Sequence, residues 1–350
     1  MNKINRSDIR KLVIEEMSRA KTIQKRSLSS LLFEDVDDDI KAASKEGPAA
    51  VRKLVNSTDD KQGLKDALDG MYDKLKPDDV VNVSSSSSMK VGKLIPTQNE
   101  IDLMKSVAFP LGGISALEEM ISTNKSGAPG SITVSGNEIL DGHHRWSGVW
   151  GISGPNGDID VQNIELPGGT SEKLAAAQLA IAAYKPTDTA LPSASDEIPY
   201  NILGVGSAGI EELLLKNVGK QTDSKAPGPL LNDELLAAAA KSEIVANWAK
   251  FKIGSPAETV KTAIIKKVAS NFEGLPSNSA APDRADMPQL DDKSIGGKKA
   301  KEEIYAGLAS GAFNISPPYS PSKEKKESSI RNDDQLIMER WQKLAGLLKG

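Results

Sequence analysis

Nineteen residues, Ile132 to Trp150 (ITVSGNEILDGHHRWSGVW), restrict the folds open to this chain more than any other stretch. They encode a strand, a tight turn, a second strand and a helix start with no spacer between them. Ile132, Val134, Ile139 and Leu140 are the apolar positions. Ser135-Gly136-Asn137 is hairpin-turn chemistry, because Gly and Asn accept positive φ at little cost. Asp141-Gly142 stops the second strand, and His143, His144 and Arg145 follow where a helix begins. Both histidines of the chain fall here. With the unpaired N–H groups of the first helical turn, they make a ready anion site above the sheet edge.

The surrounding chain has room for two or three domains in its 350 residues. Its apolar fraction of 38% and aromatic fraction of 4% point to one modest core with helical or loosely ordered flanks. Charge is nearly balanced, 44 basic against 48 acidic residues, which excludes wholesale wrapping of nucleic acid and leaves room for a local basic site. The absence of cysteine excludes disulfides, thiolate metal sites and a thiol nucleophile. The first 30 residues are charged throughout, with no apolar run of signal-peptide length, and no 18-residue apolar segment occurs. Neither signal-directed secretion nor a membrane span is expected.

In chain order, Ser7 and Asp8 cap a helix with Ile9, Leu12, Val13 and Met17 on one face, suited to docking. The acidic run 34–39 lacks the glycine and terminal glutamate of a calcium loop and reads as a solvated helix start. Helices are predicted over 38–44, continuing past Pro48 to Val55, and over 60–75. Strands are predicted over 78–83 and 89–95, with serines 84–88 as an exposed loop or strand extension. Helices over 101–107 and 114–123 are parted by Pro110 and Gly112-Gly113. After the hairpin come a helix through Trp150, a turn over 151–157, a strand over 159–166 and an alanine-rich helix over 171–184.

This pattern places a domain with a small mixed sheet, α+β or α/β, at residues 78–185, after a helical region at 1–77. Residues 186–316 read as helices over 208–217, 232–251, 256–271 and 295–310, joined by Pro/Ser/Gly-rich linkers. Residues 317–350 read as a charged linker and an amphipathic helix over 333–348, suited to docking or oligomerisation.

The block from Leu94 to Ile101 (LIPTQNEI), followed by Ser131 to Val134 and by Ile139 to Trp146 (ILDGHHRW), resembles the ParB/sulfiredoxin superfamily. It is most similar to the ParB-like nuclease branch common in tailed bacteriophages. The resemblance implies an α+β fold, a small mixed sheet with mainly helical N- and C-terminal flanks, and a nucleotide- or phosphate-binding edge at the strand-to-helix turn. Arg145 matches the arginine that meets a phosphate in that family. Sulfiredoxins carry a cysteine in the turn and this chain has none, so their cysteine chemistry is excluded. Neither the arginine-richer second box of partition proteins nor a downstream helix-turn-helix is evident, so centromere binding and a CTP-driven clamp are not expected. The opening residues 4–16 look like those of large marine tailed phages, and Leu32-Phe-Glu34 has the form of a prohead-protease cleavage motif.

Most candidate residues have both a functional and a structural reading. Arg145 supplies forked donors to phosphate, or forms a salt bridge to Asp141; its place after a glycine at a helix start favours phosphate. The Gly142 backbone and the Gln98 amide would join it as phosphate-binding groups. His143 and His144 are candidate catalytic groups, as base or proton shuttle, or metal ligands, with one expected to face the site and the other to hold the turn. Asp141 could orient a histidine, hold Mg²⁺ or Mn²⁺ with substrate phosphates, or cap the helix. Glu100 is a candidate base or metal ligand, or a cap for the helix starting at Ile101. Trp146 and Trp150, four apart, read as core rather than a base-stacking platform.

Two functions are carried forward. One is binding of nucleotide or nucleic-acid phosphate at the DGHHR turn, with metal-assisted phosphoester hydrolysis as the activity if the protein is an enzyme. The other is a phage virion or assembly protein that uses the fold as a non-catalytic module, with other phage proteins met through the terminal helices. Host cytoplasm or virion is the expected location.

Overall fold

The hairpin forms as its turn chemistry dictates, and a sheet is built outward from it. The computed structural model describes residues 36–69, 80–84, 86–126, 130–185, 189–193, 198–278 and 281–315. The expected helix after Ser7, the 32–34 motif and the helix over 333–348 lie outside these residues. Strands β1 (Ser87–Lys90), β2 (Ile95–Pro96), β3 (Ile132–Ser135), β4 (Glu138–Asp141) and β5 (Asp158–Asn163) form one sheet in the order β1-β5-β3-β4-β2. Pairs β1/β5 and β3/β4 are antiparallel, while β5/β3 and β4/β2 are parallel. Gly136 takes φ 65° in the two-residue turn, which sets Ser135 opposite Glu138. Its N–H donates to Asn163 Oδ1 at 2.9 Å, tying the turn to β5.

Helices α1 (36–46), α2 (Pro48–Ser57), α3 (Lys61–Leu68), α4 (Leu103–Gly112), α5 (Ile114–Thr123) and α6 (His143–Ser153) are followed by α7 (Thr170–Tyr184) and α8 (Ser207–Asn217). Then come α9 (Asp233–Ala239), α10 (Glu243–Ala249), α11 (Ala257–Phe272) and α12 (Lys298–Ser310). Strand alternation divides them into two layers. Ile132, Val134, Ile139, Ile159 and Val161 face one apolar cluster with α4–α6 and α8–α11. Leu140, Ile164 and Leu166 face a second cluster with α1–α3, α7 and α12. The protein is therefore mixed α+β, a small mixed sheet flanked by helices from both ends of the described chain.

Several elements depart from the sequence reading. Gly47, at φ 113°, separates α1 from α2 where one continuous helix was expected. Helix α3 stops at Leu68, and Asp69 bridges Phe313 instead. Of the strand expected over 78–83, the described part contributes a single bridge, Val83 to Ile164, and β5 stops at Asn163. The strand expected over 89–95 is interrupted by a 3-10 turn at Val91–Lys93, and β1 begins within the serines. The turn fits because Gly92 lies under Pro155, whose carbonyl oxygen would be 2.7 Å from an added Cβ.

Helix α4 runs through Pro110 and stops at Gly113. Pro110 has no N–H for the Ser106 carbonyl four residues back, and that carbonyl lies against Gly148 of α6. The helix expected over 232–251 is two, because Ser242 caps α10 by accepting from the Val245 N–H at 3.3 Å. Gly296 and Gly297, both at positive φ, delay α12 to Lys298.

Helix α6 is the centre of the first layer and is buried on most sides, unlike an amphipathic surface helix. Gly148 admits α4, and Gly151 admits the Phe272 ring of α11; an added Cβ would lie 2.5 Å from Ser106 O and 2.6 Å from Phe272 Cζ. Trp146 and Trp150 pack edge to face at 5.7 Å between ring centroids. Their Nε1–H groups donate to Val91 O at 2.9 Å and Asn271 O at 2.8 Å, so both rings are core. Among the described residues, no helix is long and apolar enough to cross a membrane.

Candidate functional site

Gly142 fixes where α6 begins. Its φ of 100° is open to glycine and strained for other residues, and an added Cβ would lie 2.5 Å from Ile132 Cγ2. No side chain caps this helix start. It opens into a cleft of about 510 Å³ whose other walls come from α4, residues 223–226 and residues 284–289. Four cationic residues line it, Lys105, Arg145, Lys225 and Arg284, against the two carboxylates of Asp141 and Asp223.

The two histidines do not divide their work as expected. Both are anchored through Nε2: His143 accepts from the Thr97 N–H at 3.1 Å, and His144 accepts from the Asp102 N–H at 3.2 Å. A ring nitrogen that accepts an N–H carries no proton, so each imidazole is neutral with its proton on Nδ1. Burial pushes His143 down to about 4, with Asp141 pulling the other way. Burial, helped by the nearby Arg284 and Lys105 cations and by His143, pushes His144 down to about 3. With each Nε2 lone pair already engaged, neither ring takes a proton from water at that atom. They stitch the start of α6 to residues 97–102, which join β2 to α4.

Asp102, held by His144, is the cap of α4; its Oδ1 accepts from Met104 N at 2.8 Å and Lys105 N at 3.3 Å. The capping role considered for Glu100 therefore belongs to Asp102. Glu100 is half-buried and does not line the cleft. Gln98 is buried, lines the cleft, and donates from Nε2 to the Glu100 carbonyl.

Asp141 does not cap α6 and does not pair with Arg145. Its Oδ2 lies 3.1 Å from Lys301 Nζ on α12. Arg145 lines the cleft, but its Nη1 donates to the carbonyls of Gly130 and Ser131 at 2.8 and 2.9 Å, fixing the approach to β3. The structure thus gathers Gln98, Asp141, Gly142, His143, His144 and Arg145 around one cleft and leaves Glu100 outside it.

Lys105, Lys225, Arg284 and Lys301 were missed by sequence reasoning. No local pattern marks them, since tertiary packing alone brings them to α6. Among the described residues, no three His, Asp or Glu side chains are grouped to hold a metal ion. With Asp141 bound to Lys301 and both Nε2 atoms engaged, the residues present do not fit Mg²⁺ or Mn²⁺. What the cleft can do chemically is hold an anion: N–H groups at a helix start and nearby guanidinium and ammonium groups converge on one space.

Fold and cleft together define a mixed α+β protein with a basic cleft at the N-terminus of a buried helix. Comparison with protein-family models, curated proteins and solved structures found no match to this chain.

Proposed function

We propose that the protein binds a phosphate-bearing ligand, a nucleotide or a nucleic-acid phosphate, in the cleft at the start of α6. The observation that carries this reading is the convergence of Lys105, Arg145, Lys225 and Arg284 on an uncapped helix N-terminus. The partial positive charge of that terminus and the forked donors of arginine both favour phosphate oxygens. The likeness of residues 94–101 and 139–146 to the ParB/sulfiredoxin superfamily supports the same ligand class.

The commitment of both histidines to backbone N–H groups favours binding over hydrolysis. It equally favours the second reading, a non-catalytic module in a phage virion or assembly protein. A defined copy number in purified particles would support that reading.

The test is calorimetric titration at low salt with pyrophosphate, nucleoside triphosphates and short single- and double-stranded DNA, with and without Mg²⁺. Arg284→Ala and Lys105→Ala should each weaken binding by about tenfold, the loss expected for one charge-assisted hydrogen bond. Affinity should fall as salt rises. A folded protein that binds none of these, or variants that bind as wild type does, would end the proposal.

A further inference from the structure

We infer that Lys301, outside the cleft, sets the cleft's affinity for anions by neutralising Asp141 in its wall. The inference rests on reading the cleft as a phosphate site.

Asp141 ends β4 one residue before the glycine at the start of α6 and lines the cleft. A carboxylate here, left to itself, would occupy the region that the helix dipole offers to a ligand and would repel a phosphate. Asp223, the other carboxylate in the lining, is turned to its own loop, where Oδ1 accepts from Lys225 N at 2.7 Å. Asp141 is met from the opposite layer of the protein: Lys301 Nζ lies 3.1 Å from its Oδ2, with the two side chains 13% and 20% exposed.

Lys301 is not part of the cleft lining, so it acts on a ligand through Asp141 and is a positioning residue. Its own placement is specified. The ammonium sits 5.9 Å from the centroid of the Tyr305 ring, and the Tyr305 hydroxyl is 2.5 Å from Thr133 Oγ1 on β3. Burial opposes the lysine's charge, but Asp141, Tyr305 and Asp291 outweigh it and raise its pKa above the ordinary value. The ammonium is thereby retained across the neutral range. Asp291 faces the same pair, and the charge of Asp141 holds its carboxyl above the usual range. A fixed cation held against Asp141 offsets the charge of the one carboxylate that faces the cleft from β4 and so leaves the cleft more positive than it would be without Lys301.

The experiment measures pyrophosphate affinity of the full chain by calorimetry at low salt, for wild type, Lys301→Met, Asp141→Asn and the double variant. Lys301→Met should bind roughly tenfold more weakly, the size of one uncompensated charge within about 10 Å at the effective dielectric of a protein surface. Asp141→Asn should bind more tightly than wild type, and adding it to Lys301→Met should restore affinity. A merely structural lysine would not be rescued by removing the charge it faces. If Lys301→Met does not fold, Asp141→Asn decides: tighter binding supports the inference and unchanged binding overturns it. Wild-type binding with a folded Lys301→Met that binds equally well overturns this inference alone. A wild type that does not bind pyrophosphate overturns the proposed function and this inference with it.

Discussion

Replacing Gly142 with alanine is the sharpest test of how α6 is positioned. At φ 100° and ψ 24° an L-residue is in the left-handed region, which costs roughly 1–2 kcal/mol. The new Cβ would also lie 2.5 Å from Ile132 Cγ2, 2.8 Å from Ile132 Cβ and 3.3 Å from its Cα. Ile132 is fully buried on β3, so it has little room to yield, and overpacking of this kind adds about 1–3 kcal/mol. Together these predict a loss of about 2–5 kcal/mol, a large share of the stability of an ordinary domain. Gly136 is the control: its φ is 65° and nothing lies within 4 Å of an added Cβ, so Gly136→Ala should lose only the strain, roughly 1–2 kcal/mol. Urea unfolding followed by circular dichroism would show the midpoint falling much further for Gly142→Ala at a similar m-value. Equal losses in the two variants, or a loss below about 0.5 kcal/mol at Gly142, would refute the argument from close approach to Ile132.

Three further outcomes are expected. The two histidines titrate near 6.5 when unfolded but at about 4 and about 3 when folded, so below pH 6.5 the unfolded chain binds more protons. Their contribution should be complete above pH 6.5 and lost as pH falls toward 4 and then 3; urea midpoints at pH 7, 6 and 5 should decline, less steeply in His144→Gln, and a flat profile would count against both anchors. Trp146→Phe removes one of the two donors to Val91 O, the Leu94 N–H at 3.1 Å remaining, and should lower stability by about 1 kcal/mol in thermal melts, the net worth of one hydrogen bond. Gly148→Ala sets a Cβ 2.5 Å from Ser106 O and should destabilise by about 1–3 kcal/mol, whereas Gly206→Ala, with open space around it, should not show this steric loss.

What could be read from the chain was what local chemistry determines. Gly136-Asn137 set the hairpin, Gly142 set the start of α6, and the four-residue spacing of the tryptophans set their common burial. Helix boundaries failed where a single residue outweighed a periodic pattern: Gly47 at positive φ, Ser242 as a cap, and Gly296-Gly297 before α12. Pro110 was misread in the opposite sense, because packing against α6 keeps α4 helical around a residue that locally favours a break. At the site, the cluster of His, Arg and Asp was legible as a cluster but its division of labour was not. His143 and His144 are defined by the N–H groups of Thr97 and Asp102, Asp141 by Lys301, and Arg145 by Gly130 and Ser131. These partners are brought near by the fold and carry no mark in the local sequence.

The contact between Asp141 and Lys301 spans 160 residues of chain. At ribosomal speeds of about 5–20 residues per second, the hairpin leaves the ribosome roughly 8–30 s before the lysine that balances it. During synthesis, β3 and β4 can pair at once, but the far layer that places α12 against them cannot exist until its helix has been made. The charge state of the cleft is therefore completed late, after its walls, and a chain halted before residue 301 would present the start of α6 beside a bare carboxylate.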